Sequence, residues 1–355
     1  MSNKNEKAFA LFAKHIHTVV NPFPGADMAR LRVGIMGCGG IAAVMAGTLL
    51  KMKDASLYAV ASRTEEKARE FSQRFGKPKA YGSYAAMLED PAVDLVYIAT
   101  PHSAHAENIR LCVEHGKAVL CEKAFTANAR QAEEVLGFAE SRHVLVTEAM
   151  WVRYMPMAKT LRELIASGCI GTITTCTANL HYDIDSHDRL VNPALAGGAL
   201  LDVGVYTLTF ASIAMGDDVG KICASAIISD RGIDRQDAAA LSYRGGQMAV
   251  LSCGMSAVSD RLGILYGRSG YIIVTNVNNF ERISVYSKDR ELVKSIDAPE
   301  QISGYEYEVE ACARALASGA AECPEMPHAE TIAIMKQMDE IRRQTGVVYP
   351  FEQGA

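Results

Sequence analysis

The sequence predicts an α/β protein in which an N-terminal Rossmann domain, a doubly wound parallel sheet, is followed by a C-terminal α/β domain on a large, mainly antiparallel open sheet. Three observations lead there. Between Leu31 and Met150, short, continuously apolar runs alternate with longer amphipathic stretches, the pattern of a parallel sheet buried by helices on both faces. After Trp151 the runs become alternating and β-rich, with Gly245-Gly246 marking a hairpin turn. The 355 residues also exceed one core, since hydrophobic cores stop growing at about 250 to 300 residues.

Taken in order, residues 1–30 form an extension in which Phe9, Phe12, Ile16 and Val19 or Val20 fall at helical spacing. An amphipathic helix packed on the main body is expected, ended by Asn21-Pro22-Phe23-Pro24-Gly25. The Rossmann domain, 31–150, places strands at 32–36, 57–62, 95–100, 118–121 and 144–147, with helices over 65–75, 106–115 and 128–141. The remaining 151–355 are expected to form the second domain. It opens with a helix over 155–167, then strands at 172–181, 222–229, 238–243, 248–253, 261–266, 271–275 and 283–286, interrupted by a helix over 201–215. Helices over 305–317 and 329–345 close the chain, the last packing back on the Rossmann domain.

Composition narrows the function. With 49% hydrophobic and 22% charged residues the chain reads as an ordinary globular protein, and a net charge of -5 gives no basic footprint for nucleic acid. The nine cysteines are scattered without a Cys-x-x-Cys pair, as expected of free thiols in a reducing, cytoplasmic setting. No apolar run approaches the roughly 18 residues of a membrane span. Lys4, Glu6, Lys7 and Lys14 interrupt any signal-peptide core, so no membrane association is expected.

Gly37-Cys38-Gly39-Gly40-Ile41-Ala42 follows a strand and opens a helix. There glycines permit a tight turn and close backbone approach, and the helix N-terminus offers free N–H groups to a pyrophosphate. The second strand ends in Ala61-Ser62-Arg63-Thr64, without the acid that holds the ribose hydroxyls of NAD. Ser62 and Arg63 can receive a 2′-phosphate, so NADP(H) is expected in preference to NAD(H), which stays possible; Arg63 also reads as a solvated charge at a helix entry. Thr100-Pro101-His102-Ser103-Ala104-His105 sits past another strand end, where open parallel sheets bind ligands. His102-x-x-His105 lacks further ligands for a metal, so the loop is assigned to the cofactor cleft with no metal expected. Glu122-Lys123 ends the next strand, and a lysine there can polarise a carbonyl or stabilise an alkoxide.

These segments, in this order and together with Gly197 to Tyr206, resemble the glucose-fructose oxidoreductase and inositol dehydrogenase family, Gfo/Idh/MocA, over almost the whole chain from Leu31. Within it the chain is most similar to the branch of dimeric dihydrodiol dehydrogenases, NADP-dependent xylose dehydrogenases and glucose-fructose oxidoreductase, which shares the segment Glu148 to Pro156. The resemblance implies that Trp151 and Arg153 approach the cofactor and that Tyr206 moves a proton to or from the reacting oxygen. It further implies that Lys123 lowers the tyrosine pKa and that Asp202, four residues before Tyr206, orders the lysine or the substrate. It also implies substrate-binding and oligomerisation roles for 151–355, with a homodimer or homotetramer formed through the C-terminal sheet. One departure stands out: Ala124 replaces the family's proline after Lys123. A proline there can hold a cis bond that alanine disfavours, so a differently aimed lysine is expected.

The polar run His181, Tyr182, Asp183, Asp185, His187 and Arg189 suits recognition of sugar, polyol or diol hydroxyls, and equally a solvated loop. The expected activity is hydride transfer between nicotinamide and a secondary alcohol or carbonyl of a sugar, polyol or cyclic diol. The alternatives are a non-catalytic dinucleotide-binding sensor, favoured by Ala124, and an enzyme that holds its cofactor tightly through a full cycle.

Overall fold

The computed structural model describes residues 30–352, and the helix expected within 1–30 lies outside them. Six parallel strands, β1 (Leu31–Met36), β2 (Ala55–Ala61), β3 (Lys79–Tyr81), β4 (Leu95–Ile98), β5 (Ala118–Glu122) and β6 (Val146–Ala149), are ordered β3-β2-β1-β4-β5-β6. Every residue of β4, β5 and β6 is buried, which explains the apolar runs of β4 and of β5 up to Cys121; Glu122, Thr147 and Glu148 are buried polar groups within β5 and β6. Strand order reverses between β1 and β4, so a crevice opens beyond their carboxyl ends. The connecting helices are α1 (Gly40–Leu49), α2 (Glu65–Arg74), α3 (Tyr84–Leu88), α4 (His105–Glu114) and α5 (Ala129–Arg142). Asn128 caps α5 by accepting the Gln131 N–H, and Ser83 caps α3 through Ala86 N–H.

Helix α6 (Pro156–Ala166) leads into the second sheet: β7 (Ile173–His181), then, past α7 (Val205–Met215), β8 (Val219–Ile228), β9 (Asp234–Tyr243), β10 (Met248–Gly254), β11 (Gly263–Gly267), β12 (Gly270–Thr275), β13 (Arg282–Ser287) and β14 (Leu292–Asp297). The order is β14-β13-β12-β11-β7-β10-β9-β8, antiparallel except where β7 and β10 run parallel. One face lies on α7, whose residues from Val205 to Ala214 are all buried. At Gly263 any side chain would strike the Phe210 ring, 2.5 Å from the Cβ position, so glycine lets α7 settle on β11.

The segment Pro193–Met215 is long and apolar enough to span a bilayer, against the expectation of no such run. It is a core helix with its preceding turns, and 89% of its most apolar stretch is buried. The opposite sheet face stays open, carrying Met248, Val250 and Tyr266 as exposed apolar side chains and a stack of Tyr271 on Tyr286.

Helices α8 (Glu306–Ser318) and α9 (His328–Thr345) complete the described chain. Helix α9 packs against α5, with Lys336 paired to Glu133 at 2.6 Å and Asp339 accepting the Ala129 N–H at 2.8 Å. Its Gln344 closes the edge strand β8, accepting from Ala224 N and donating to Ile222 O, both at 2.8 Å.

Candidate active site

The glycine loop lies between β1 and α1. Gly37 has φ +103°, and a Cβ there would sit 2.7 Å from Ala99 O at the end of β4, so no side chain fits. Gly39 and Gly40 are different: Cβ atoms on them would meet nothing within 4 Å, leaving backbone open to the crevice. No side chain caps α1, and its first turn carries no acid, so its N–H groups are free for an anion. Ile41 and Ala42 continue this turn, Ala42 being fully buried. The residues present fit a dinucleotide pyrophosphate.

At the end of β2, Ser62 is buried and Arg63 exposed, with no carboxylate in Ala61-Ser62-Arg63-Thr64. Burial raises the Cys38 thiol, and Ser62 and Lys67 act on it in the opposite sense, which brings Lys67 of α2 to the same corner. Lys67 was not foreseen; it falls one helical turn after Arg63, a spacing that could have signalled it.

The loop after β4 is held by its own polar groups. Asn108 donates to Thr100 Oγ1 at 2.9 Å, Thr100 Cγ2 lies against the Gly37 position, and Pro101 precedes a short 3₁₀ turn. His105 is a brace, not the cofactor contact expected: its side chain is fully buried, with Nε2 2.8 Å from Thr100 O and Nδ1 3.0 Å from Ala124 O. It ties the β4 loop to the β5 loop. His102 faces Ala196 O at 3.0 Å through Nδ1, and burial, helped by His105, pushes its pKa down to about 3.

Beyond β5, Glu122 is buried between the Tyr97 hydroxyl, which donates to Oε1, and the Lys123 N–H, which reaches Oε2 at 3.3 Å. Burial raises its pKa against the pull of Lys123. The Lys123–Ala124 peptide bond is cis, and Lys123 Nζ sits 2.6 Å from Asp202 O and 3.3 Å from Asp202 Oδ1. The expectation that Ala124 would turn the lysine away is therefore corrected: Lys123 meets the two residues assigned to it. Its ammonium also lies 5.0 Å from the centre of the Tyr206 ring.

Asp202 belongs to a π-helical turn, Leu200–Gly204, that precedes α7. Burial alone would raise its carboxyl, but Lys123 and Arg189 outweigh it and hold the group well below the usual range. Arg189 Nη1 binds Asp202 Oδ1 at 2.9 Å, so the polar run does supply one member of this cluster. Tyr206 departs from its implied electrostatics. Its hydroxyl is pushed well up, first by burial and then by Tyr305, Glu122 and Asp202, because Lys123 meets the ring face. Tyr206 keeps its proton at neutral pH.

Trp151 is buried and stacked on Tyr305 with ring centres 4.4 Å apart, and its Nε1 has no acceptor among the described residues. Tyr305 was not foreseen. It follows Gly304, where φ is +94° and a Cβ would press on Trp151 and Met155, and the loop is gathered by Glu306 accepting the N–H groups of Ile302, Ser303 and Gly304. Ser303 Oγ also meets Thr48 Oγ1 of α1 at 2.7 Å.

Arg153 corrects a further expectation. Its guanidinium forks onto Glu330 and donates to Glu325 O at 3.0 Å, so its donors serve the join with α9 and leave no fork for a cofactor. Of the other polar-run residues, His181 Nε2 lies 3.2 Å from Ser252 Oγ, and the Tyr182 hydroxyl donates to Asn278 at 3.2 Å while its charge is felt at Tyr305.

A dinucleotide loop at the switch point, with lysine, aspartate and a protonated tyrosine gathered beside it, defines a Rossmann-type oxidoreductase. Residues 31–150 match the model of the Gfo/Idh/MocA oxidoreductase family with an NAD-binding Rossmann fold, and 158–273 match the C-terminal domain of that family. The chain belongs to this family. It is 36% identical to the D-xylose 1-dehydrogenase (NADP(+)) of Hypocrea jecorina, over 90% of this chain and 93% of that one. It is 34% identical to the trans-1,2-dihydrobenzene-1,2-diol dehydrogenase of Mus musculus, over 90% and 98% respectively. Among solved structures, a 3-ketoreductase from Actinomadura kijaniata in complex with NADP and TDP-benzene superposes with a TM-score of 0.80 at 28% identity, covering 89% of this chain and 98% of that one.

Proposed function

We propose that the protein is an NADP-dependent oxidoreductase that interconverts a secondary alcohol and a carbonyl of a sugar, polyol or cyclic diol. The observation that carries this reading is the convergence of Lys123, Asp202 and Tyr206 beside the glycine loop. The lack of an acid at Ser62-Arg63, with Lys67 nearby, favours the 2′-phosphate of NADP. The xylose and diol dehydrogenases among the relatives point to a polyhydroxylated or cyclic substrate.

Bound NADP(H) supplies or accepts the hydride. The protein moves the proton and holds the oxygen. In reduction, Lys123, fixed by Asp202, draws charge onto the carbonyl oxygen, and Tyr206 donates its proton to the alkoxide that forms. In oxidation the alcohol's proton can pass to Tyr206 only after the phenol has lost its own, so the protonated tyrosine serves the reducing direction. Arg189, half exposed beside Asp202, presents donors to substrate hydroxyls, and the Trp151–Tyr305 stack gives the ring an apolar wall.

The test is consumption of NADPH on a panel of carbonyl compounds. Lys123→Ala and Tyr206→Phe are expected to lower kcat by roughly 100-fold or more, with NADPH binding retained. Turnover unchanged in both variants removes the mechanism. We further propose a homodimer or homotetramer through the open sheet face, supported by exposed Met248, Val250 and Tyr266, and a cytoplasmic location, supported by nine free cysteines.

A further inference from the structure

A pair of buried carboxyls lies directly behind the catalytic turn. Strand β9 carries Asp234 and Asp237, 1% and 3% exposed, and a bulge places both on the covered face: Ile227 pairs with Gln236 and Ile228 with Asp234, so Arg235 is the extra residue. Arg235 turns outward to Asp185. Asp234 Oδ2 accepts the N–H of Leu200, the first residue of the π-helical turn, at 2.5 Å. Its other oxygen occupies the space where a Cβ on Gly198 would lie, 2.2 Å away. The Oδ1 atoms of both aspartates find no donor among the described residues, and the Cys253 thiol reaches Asp237 Oδ2 at 3.8 Å.

We infer that Asp234 and Asp237 share one proton and act as positioning residues, gripping Leu200 so that the turn presents Asp202 to Lys123. This rests on the catalytic reading given above. The chemistry follows from the surroundings. Two carboxylates side by side in a dry core cannot both ionise, so one retains a proton and donates it to the other. Burial and the charge of Asp234 push the Asp237 carboxyl up to about 9. The titratable groups facing the pair supply no cation in contact. They are Cys253 on β10, and Tyr349 after α9, whose hydroxyl is bonded to Gly197 O. Arg342 of α9 is held by Glu352 and Ala127 O, and β8 contributes only Ala226, Ile227 and Ile228 opposite this stretch. Loss of the shared proton sets two anions against each other and loosens the grip on Leu200. The active site then has an alkaline limit written into its scaffold.

Three variants test this. Asp237→Asn keeps the shape and the bond to Asp234 but removes the ionising group; it should move the alkaline fall of kcat up by about one pH unit or more, with the NADPH Kd unchanged. Asp234→Ala leaves Leu200 without its acceptor and should lower kcat by roughly 10- to 100-fold while NADPH still binds. Asp234→Asn retains an acceptor and should restore most of that loss. Infrared difference spectra of wild type against Asp237→Asn should show a protonated carboxyl at neutral pH that disappears above the alkaline limit. Absence of that band overturns the shared proton, whatever the activity. An unmoved alkaline limb in Asp237→Asn, or full kcat in Asp234→Ala, overturns the positioning role. A wild-type protein that shows the band and binds NADPH but turns over no carbonyl compound refutes the catalytic reading instead, and the role in positioning with it.

Discussion

Tyr206 and Lys123 show how much the exact atom in contact matters. An ammonium beside the phenolic oxygen would favour phenolate, whereas the same ammonium over the ring leaves burial in control, and the hydroxyl stays protonated. The site is thereby set up to give a proton in the reducing direction. Arg63 and Arg153 divide in a similar way between solvent and core. Arg63→Ala should weaken NADPH binding about tenfold, the scale of a charge-assisted hydrogen bond, and leave NADH binding unaltered in parallel titrations. Arg153→Met leaves Glu330 buried without its partner, so it should cost about 3–5 kcal/mol in urea unfolding with no direct effect on cofactor affinity. Equal loss of NADPH and NADH binding in Arg63→Ala would argue against a 2′-phosphate at that corner.

At the scale of the elements, the glycine loop joins β1 to α1 only because Gly37 takes φ +103° against Ala99 O. Gly37→Ala should reduce NADPH affinity at least tenfold and lower the unfolding midpoint, since both the conformation and the space are denied. This loop was legible in the sequence because its chemistry is local: strand, glycines, helix. So were β1, β2 and β4–β6, whose buried stretches are mostly apolar. Strand β3 and helix α3 were not legible, being three and five residues long, too short to show a period. Strand β14 was missed because its residues alternate only between partial and full exposure. In the site, Lys123 could be named from its place past a strand end, Asp202 and Tyr206 through the family resemblance, and Arg189 was one of a polar run. The bracing role of His105, the fork of Arg153 onto Glu330, and Tyr305 all depend on partners tens to hundreds of residues away, which no local pattern encodes.

For the whole molecule, the open sheet face is where the proposed assembly is tested. Met248 and Val250 project from β10 and Tyr266 from β11, with β7 between the two strands. Val250→Asp together with Tyr266→Glu should convert an oligomer to monomer in light scattering, with the Rossmann domain still able to bind NADPH. Stability against pH follows from buried groups on both sheets. His102 is neutral in the folded protein, with its pKa near 3, so below its ordinary 6.5 the unfolded chain takes up a proton that the folded one refuses and stability falls with pH. Asp237, raised to about 9, does the reverse: above its ordinary 3.8 the unfolded chain releases a proton that the folded one keeps, so stability falls as pH rises. The two trends oppose each other at acid pH. Above about pH 7 the His102 contribution is gone, while Asp237 and the likewise raised Glu308 carboxyl still oppose stability as pH rises, so unfolding free energy should decline toward about pH 9 with a slope that Asp237→Asn reduces.

The amide of Gln344 offers one acceptor and one donor to the rim of β8, which is what a single residue of a neighbouring strand would offer. It therefore terminates the sheet at that rim as a stopper terminates a polymer. Ribbons that lengthen by one strand per subunit are denied this point of growth.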